Sequence, residues 1–358
     1  MAKLSRREFL KSLVTGLGVT AADQFLAACG RKTLPPLPSS TSLPKPTTQP
    51  SPSPIVDHPP PETGIPTETR SSPDQTPTQP NPTSTPAGTP DLVVARGAEP
   101  EELVRRALAA LGGMEQFVSK GSRVIIKPNI CVAYHTYEYA ATTNPWVVGA
   151  LVKLCLEAGA ASVQVMDFPF GGIAQEAYAI SGIQEQVQAA GGEMAFMPGF
   201  RYIEVDIPGA QKLNQVQIYD DILNADVFIN VPIAKTHELA KLTLGMKNLM
   251  GVIYGRQAIH QDMGQNLADL AGLIRPELTV IDAIRILTDH GPTGGNLDDV
   301  QKLDTIIAST DIVAADSYAT TLFGMRPDEI SYIQAGAATG LGRSDLSNLR
   351  IEEISAGG

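Results

Sequence analysis

Asp226-Val227-Phe228-Ile229-Asn230-Val231-Pro232, followed three residues later by Lys235-Thr236-His237, is the stretch from which the fold of this chain can be read. Val227, Phe228, Ile229 and Val231 place apolar side chains on both parities of an extended run, so both faces of the strand must be covered. Strands covered on both sides belong to parallel sheets packed between helices. Outward from this run the same texture recurs in Leu92-Val93-Val94-Ala95, Arg123-Val124-Ile125-Ile126, Ser162-Val163-Gln164-Val165-Met166, Leu278-Thr279-Val280-Ile281 and Thr305-Ile306-Ile307-Ala308. Helical patterns separate these runs: Glu99–Leu111, Pro145–Glu157, Ile180–Ala190, Asp311–Phe323 and Asp328–Ala338. Pro145 at a first turn and Asn144 before it mark a capped helix start. The expected class is α/β, a mostly parallel sheet with helices on both faces. The alternating segment Tyr202–Tyr219 predicts a small antiparallel lobe or edge, and no fixed-period repeat is present.

In such sheets ligands gather at the carboxyl ends of strands. There the chain places Lys127-Pro128-Asn129, then Lys235, Thr236 and His237, then Asp282. Lys127, Lys235 and Lys247 are cations in an acidic chain, suited to a carboxylate or phosphate, with Asn129 and Asn248 as directional donors. Gly245 and Gly251 flank Met246-Lys247-Asn248 and would let backbone N–H groups approach a ligand; the phosphate-loop order G-x-x-x-x-G-K-[ST] is missing. The bland alternative makes Lys127 and Lys247 solvated surface residues and Asn129 a turn cap. His237, His260 and Asp282 read either as an acid–base set or as ligands of a divalent metal, against the alternative of satisfied structural histidines. Their separation in sequence carries no metal signature. His290-Gly291-Pro292 reads as a turn or the mouth of the site, and His135, among Tyr134, Tyr137 and Tyr139, as part of a lid. Asp311 reads as an N-cap. Asp316, among Ala314, Ala315 and Ala319, needs a partner, either a buried Lys or backbone tie or a place in the site.

The N-terminal residues give an address. Ser5-Arg6-Arg7-Glu8-Phe9-Leu10-Lys11 has the form of a twin-arginine export signal, and Leu26-Ala27-Ala28-Cys29 that of a lipobox. The expected organisation is a signal peptide over 1–28, a lipidated Cys29 with a disordered Pro/Ser/Thr-rich stalk over 29–90, and a globular α/β domain over 91–358. Of 28 prolines, 18 fall between residues 30 and 90, and such a tract has too little apolar surface to order itself. The expected partners are the twin-arginine translocase, the lipoprotein-processing machinery, the membrane through acyl chains, and an anionic small molecule. The expected location is extracytoplasmic, lipid-anchored to the cell membrane of a prokaryote. A formal charge of −11 argues against nucleic acid. Of three cysteines, Cys29 is the lipid site, Cys155 reads as a buried thiol, and a Cys131–Cys155 bridge stays open.

Ile126-Lys127-Pro128-Asn129, Lys235-Thr236-His237, Leu244 to Gly251, His260, Asn266 to Leu270, Val280 to Ala283, Gly291-Pro292 and Asp311 to Asp316 occur in an order that resembles the domain of unknown function family numbered 362. The resemblance covers most of residues 92–340. Many relatives look fused to a ferredoxin-type domain with clustered cysteines; this chain lacks those cysteines, so no built-in iron–sulfur cluster is expected. The expectation is an enzyme-like domain binding a small anion, with a divalent metal as a candidate cofactor. The alternative is a non-catalytic ligand-binding or scaffold lipoprotein at the cell envelope.

Overall fold

The computed structural model describes residues 88–355. The export signal with Arg6 and Arg7, the lipidation residue Cys29, and the Pro-rich tract up to residue 87 lie outside them. In chain order, β1 (Leu92–Arg96) leads to α1 (Pro100–Ala110), β2 (Arg123–Pro128) to α2 (Pro145–Glu157), and β3 (Ser162–Val165) to α3 (Ala174–Ile180) and α4 (Ile183–Ala189). Then come β4 (Glu193–Met194), β5 (Tyr202–Asp206), β6 (Gln215–Tyr219), α5 (Asp220–Asn224), β7 (Val227–Val231), β8 (Ile233–His237), β9 (Lys241–Thr243), α6 (Gly245–Asn248) and β10 (Ile253–Tyr254). The chain continues through α7 (Met263–Ile274), β11 (Leu278–Leu287), β12 (Val300–Ser309), α8 (Ile312–Thr320), α9 (Ser331–Ala338) and β13 (Ile351–Ser355).

The main sheet has ten strands, ordered β13-β1-β12-β11-β7-β2-β3-β4, with β8 on β11 and β9 on β8. Most of its pairings are parallel; β12 runs antiparallel to both β1 and β11, and β9 antiparallel to β8. A separate three-stranded antiparallel sheet, β10-β6-β5, is the small lobe expected from Tyr202–Tyr219. Alternate residues of one strand enter different cores, as the pleat requires. Val124, Ile126 and Ile229 pack with Leu103, Val104, Val147 and Leu151 of α1 and α2. Ile125 and Phe228 pack on the opposite face with Leu267, Leu270, Val313 and Ile333 of α7, α8 and α9.

Several boundaries differ from expectation. The run Ile180–Ala190 is broken because Gly182, at φ 76°, turns the chain between α3 and α4. The segment Ile233–His237, expected as a strand-end loop, is β8. Past Val231 the chain leaves β2 and stays with β11, where the Asp282 N–H donates to the Pro232 carbonyl at 2.8 Å. Asn144 caps α2 by accepting from the Trp146 N–H at 3.0 Å, and Asp311 caps α8 by accepting from the Ala314 N–H at 2.8 Å. No helix among the described residues is long and apolar enough to cross a membrane.

Candidate functional site

The carboxyl end of β2, together with β8, α6 and the segment between β10 and α7, brings four cations into one region, and they are not equivalent. Lys127, on the last turn of the ladder in β2, is fully buried. Its Nζ pairs with Asp167 Oδ1 at 2.8 Å and donates to the Pro128 carbonyl at 2.8 Å and to Asn248 Oδ1 at 3.0 Å. Lys235, on β8, is 1% exposed. It donates to Asn129 Oδ1 at 2.9 Å, the Ala141 carbonyl at 2.6 Å and the Pro292 carbonyl at 2.9 Å. An ammonium has three donors, so both are saturated inside the protein. This corrects the expectation that Lys127 and Lys235 grip a ligand directly; they supply charge and frame the site.

The two asparagines serve the same frame. Asn248 Oδ1 accepts from both Lys127 and the Asn129 Nδ2 (2.9 Å), while Asn248 Nδ2 donates to Asn230 Oδ1 at 2.9 Å. Asn129 Oδ1 is held by Lys235. They space the ammonium groups apart rather than reach outward. The glycines have a related use. A Cβ on Gly251 would lie 2.0 Å from Asp167 Oδ1 and 2.5 Å from Lys127 Nζ, so Gly251 makes room for the ion pair. Gly245 makes room for Asp316, whose carboxylate accepts the backbone N–H groups of Gly245 (2.6 Å) and Met246 (2.9 Å). Those N–H groups, expected to face a ligand, are committed to Asp316, which thereby fixes α6.

Lys247 differs from the other lysines. It is 8% exposed, and among the described residues the one group within hydrogen-bonding range of its Nζ is the Met250 thioether at 3.6 Å. Burial, then the nearby Lys235 charge, hold its ammonium down to about 8. Arg256, half-buried, donates to the Phe168 carbonyl at 2.7 Å and stacks its guanidinium 4.9 Å from the Phe168 ring centre. The field of Arg256 reaches Lys247, Cys131 and the Tyr202 hydroxyl, and that hydroxyl is buried with no hydrogen-bond partner among the described residues. His237 accepts the backbone N–H groups of Leu239 (3.1 Å) and Ala240 (3.3 Å) at Nδ1, which assigns its proton to Nε2. Burial, then Lys247, Lys235 and His260, push it down to about 3. His237 is therefore a neutral hydrogen-bond donor at neutral pH, not a base. His260 lies at the exposed edge and is also lowered, first by partial burial and then by Lys247.

The structure thus brings Lys127, Asn129, Lys235, His237, Lys247, Asn248 and His260 into one neighbourhood. Asp282 does not join the histidines. Its oxygens accept the backbone N–H groups of Asn144 (2.6 Å) and Ile284 (2.9 Å), tying the start of α2 to β11. Burial pushes its carboxyl up to about 7 against those two donors. The expected metal set of His237, His260 and Asp282 therefore does not assemble. Among the described residues, only Asp289, His290 and Asp299 bring three candidate ligand atoms within 4.8 Å of one another. The Pro292 carbonyl, the acceptor of Lys235, also takes the Cys131 thiol at 3.5 Å. Cys131 and Cys155 are not bridged; Cys155 is buried, and burial pushes its thiol up to about 12. His135 stacks on Tyr139 with ring centres 4.4 Å apart. Two surface cavities, of about 180 and 310 Å³, lie elsewhere: one beside Ile253 and Tyr254, the other beside Arg326 and Asp345.

Asp167, Arg256, Asn230 and Tyr202 were not singled out in the sequence. Asp167 follows β3 directly, so the rule that pointed to Lys127 would have found it. Arg256 begins a short 3-10 helix, Arg256–Gln261, between β10 and α7 and carries no local signal.

A family model described as "Domain of unknown function (DUF362)" matches residues 124–321. A thylakoid-associated protein of Synechocystis sp. (strain ATCC 27184 / PCC 6803 / Kazusa) is 30% identical over 247 residues, which is 66% of this chain and 74% of that protein. Among solved structures, the lactate racemase apoprotein from Thermoanaerobacterium thermosaccharolyticum is similar with a TM-score of 0.42 and 13% identity, over 64% of this chain and 56% of that one. A Thermotoga maritima protein is similar with a TM-score of 0.41 and 14% identity, over 64% of this chain and 60% of that one. The chain spans less than two thirds of either solved structure.

Proposed function

This chain belongs to the DUF362 family, and from that premise we propose that its α/β domain binds a small carboxylate or phosphate anion in the buried cationic site, on an exported, lipid-anchored protein. The observation that carries the first half is the charge imbalance around Lys247. Among the described residues, Asp167 is the carboxylate acting on this cluster; it is in direct contact with Lys127 and reaches Lys235 and Arg256 only through its field. Among the described residues, Lys235, Lys247 and Arg256 have no carboxylate in direct contact, and Lys247 has no oxygen acceptor. A buried charge is costly unless it is paired, so a bound anion is the partner that completes the site. The Tyr202 hydroxyl and the His237 Nε2–H add neutral donors of the kind that orient such a ligand.

The test is thermal unfolding of the full chain at constant ionic strength with added inorganic phosphate or pyruvate, against chloride. An anion that binds the folded state alone raises stability by about 2.7 kcal/mol at a hundred times its Kd. At least one of the two is expected to raise the Tm; no shift from either would remove the reading. A second reading, a non-catalytic ligand-binding lipoprotein, is favoured by one observation: the half-buried His237 beside the cations has its Nδ1 engaged and stays neutral.

Export and lipidation rest on Ser5 to Lys11 and on Leu26 to Cys29. The Synechocystis relative is described as thylakoid-associated, and membrane association without a spanning helix in the described region would need an anchor such as acylated Cys29. Arg6→Lys combined with Arg7→Lys is expected to strand precursor in the cytoplasm, and Cys29→Ser to move the protein from the membrane to the soluble fraction. Fractionation and immunoblotting read both, and unchanged distributions would count against the address.

A further inference from the structure

We propose that Lys247 is a carbonyl-reactive amine that forms a Schiff base with an anionic aldehyde or ketone of the 2-oxo acid type. This rests on the anion-site reading and adds a covalent step to it. A lysine becomes a nucleophile only when its lone pair is free. Burial lowers Lys127, to about 8, and Lys235 as well, but each of these nitrogens has three oxygen acceptors around it, so none of its positions faces a ligand. Lys247 is nine-tenths buried, and among the described residues its nitrogen has only the soft Met250 sulfur within hydrogen-bonding range. Desolvation beside other cations is the setting that activates a lysine for imine chemistry, and Lys235 and Arg256 are those cations. The backbone of α6 is pinned by Asp316 on both Gly245 and Met246, so the amine is presented from a fixed turn.

The step balances without an oxidant or reductant. The Nζ lone pair forms a bond to the carbonyl carbon, and the carbonyl π pair moves to oxygen. That oxygen takes the proton released from nitrogen, giving a carbinolamine. A second proton transfer to the hydroxyl lets water leave and the C=N bond form. Arg256, which uses one donor on the Phe168 carbonyl, has further N–H groups for the carboxylate of the oxo acid. The tautomer of His237 leaves an Nε2–H to donate to the carbinolamine oxygen.

The experiment uses the full chain with pyruvate and sodium borohydride at pH 8, followed by peptide mass spectrometry. With its ammonium held down to about 8, Lys247 is about half neutral there, whereas an ordinary lysine is neutral at well under about 1%. The expected result is a single reduced adduct on Lys247, formed at least tenfold faster than on exposed Lys302, and absent in Lys247→Arg. Adducts spread equally over surface lysines, or none on Lys247, would overturn the proposal, and the peptide map of the unaltered chain decides this even where Lys247→Arg does not fold. The two readings fail separately. A thermal shift with inorganic phosphate or pyruvate but no adduct removes only the covalent step; no shift and no adduct remove both.

Discussion

Replacing Asp167 with alanine is expected to lower the free energy of unfolding by about 3–5 kcal/mol. The reason is where Lys127 sits. It lies on β2 between two helix layers, fully buried, and among the described residues Asp167 is its one ionic partner, at 2.8 Å. Removing the carboxylate leaves an ammonium in a low-dielectric site with only neutral acceptors. It also frees two backbone donors, the Ile130 and Phe168 N–H groups, which Asp167 accepts at 2.7 and 2.9 Å. The Ile130 N–H is buried, and a buried donor left without a partner costs about 1–3 kcal/mol; the Phe168 N–H is only partly buried. Urea unfolding measures the loss. Adding Lys127→Met to Asp167→Ala is expected to recover part of it, because the stranded charge is then gone while the two orphaned N–H groups remain. A loss below about 1 kcal/mol in the single variant, or no recovery in the double, would show that the pair does not hold β2 and β3 together.

Lys247→Met is expected to act in opposite directions on stability and on ligand binding. Without anion at pH 7 it removes a buried ammonium that has no oxygen acceptor among the described residues, so stability should rise, by about 1–3 kcal/mol. Anion affinity should fall at least about thirtyfold, the lower end of what losing one partner of a buried charge pair costs. The pH dependence separates this from simple repacking. In the folded state Lys247 is held down to about 8, from 10.5 in the unfolded chain. Below pH 8 both states carry the proton, and the penalty for burying it is present in full. Between pH 8 and 10.5 the unfolded chain binds more protons, so the unfolding free energy rises with pH, by about 3 kcal/mol across the window. Lys247→Met should lack that rise, and the difference between the two proteins cancels every other titrating group. In the unaltered protein, anion affinity should weaken as pH climbs through 8. Identical pH profiles in the two proteins would sink the assignment of Lys247 as the unpaired cation.

Much of the fold was legible because burial on two faces leaves a mark in a single segment. Val124-Ile125-Ile126 and Val227-Phe228-Ile229 have no polar parity, and the structure sends alternate residues into opposite cores. Asn144 and Asp311 were readable as caps because a cap is a local bond across two or three residues. β8 was not readable. Ile233-Ala234-Lys235-Thr236-His237 has mixed polarity and becomes a strand through its pairing with β11 and β9. The break at Gly182 was hidden for a related reason, since the flanking residues are ordinary helix formers and the backbone turn alone divides them.

The neighbourhood of the site followed from strand-end positions, but the roles within it did not. Lys127, Lys235 and Lys247 look alike as letters. Residue types and spacing settled that three cations would stand near the ends of a buried parallel sheet in an acidic protein. Long-range packing settled which of them is free: the acceptors that occupy Lys235 come from Asn129, Ala141 and Pro292, and the carboxylate that neutralises Lys127 comes from the far side of α2. Asp282 was misplaced for the same reason, because its partners are backbone groups that meet it only after folding. Secondary structure is written in bonds a few residues long, whereas the reactivity of a charge depends on every group within a few ångströms, and those groups are gathered from the whole chain.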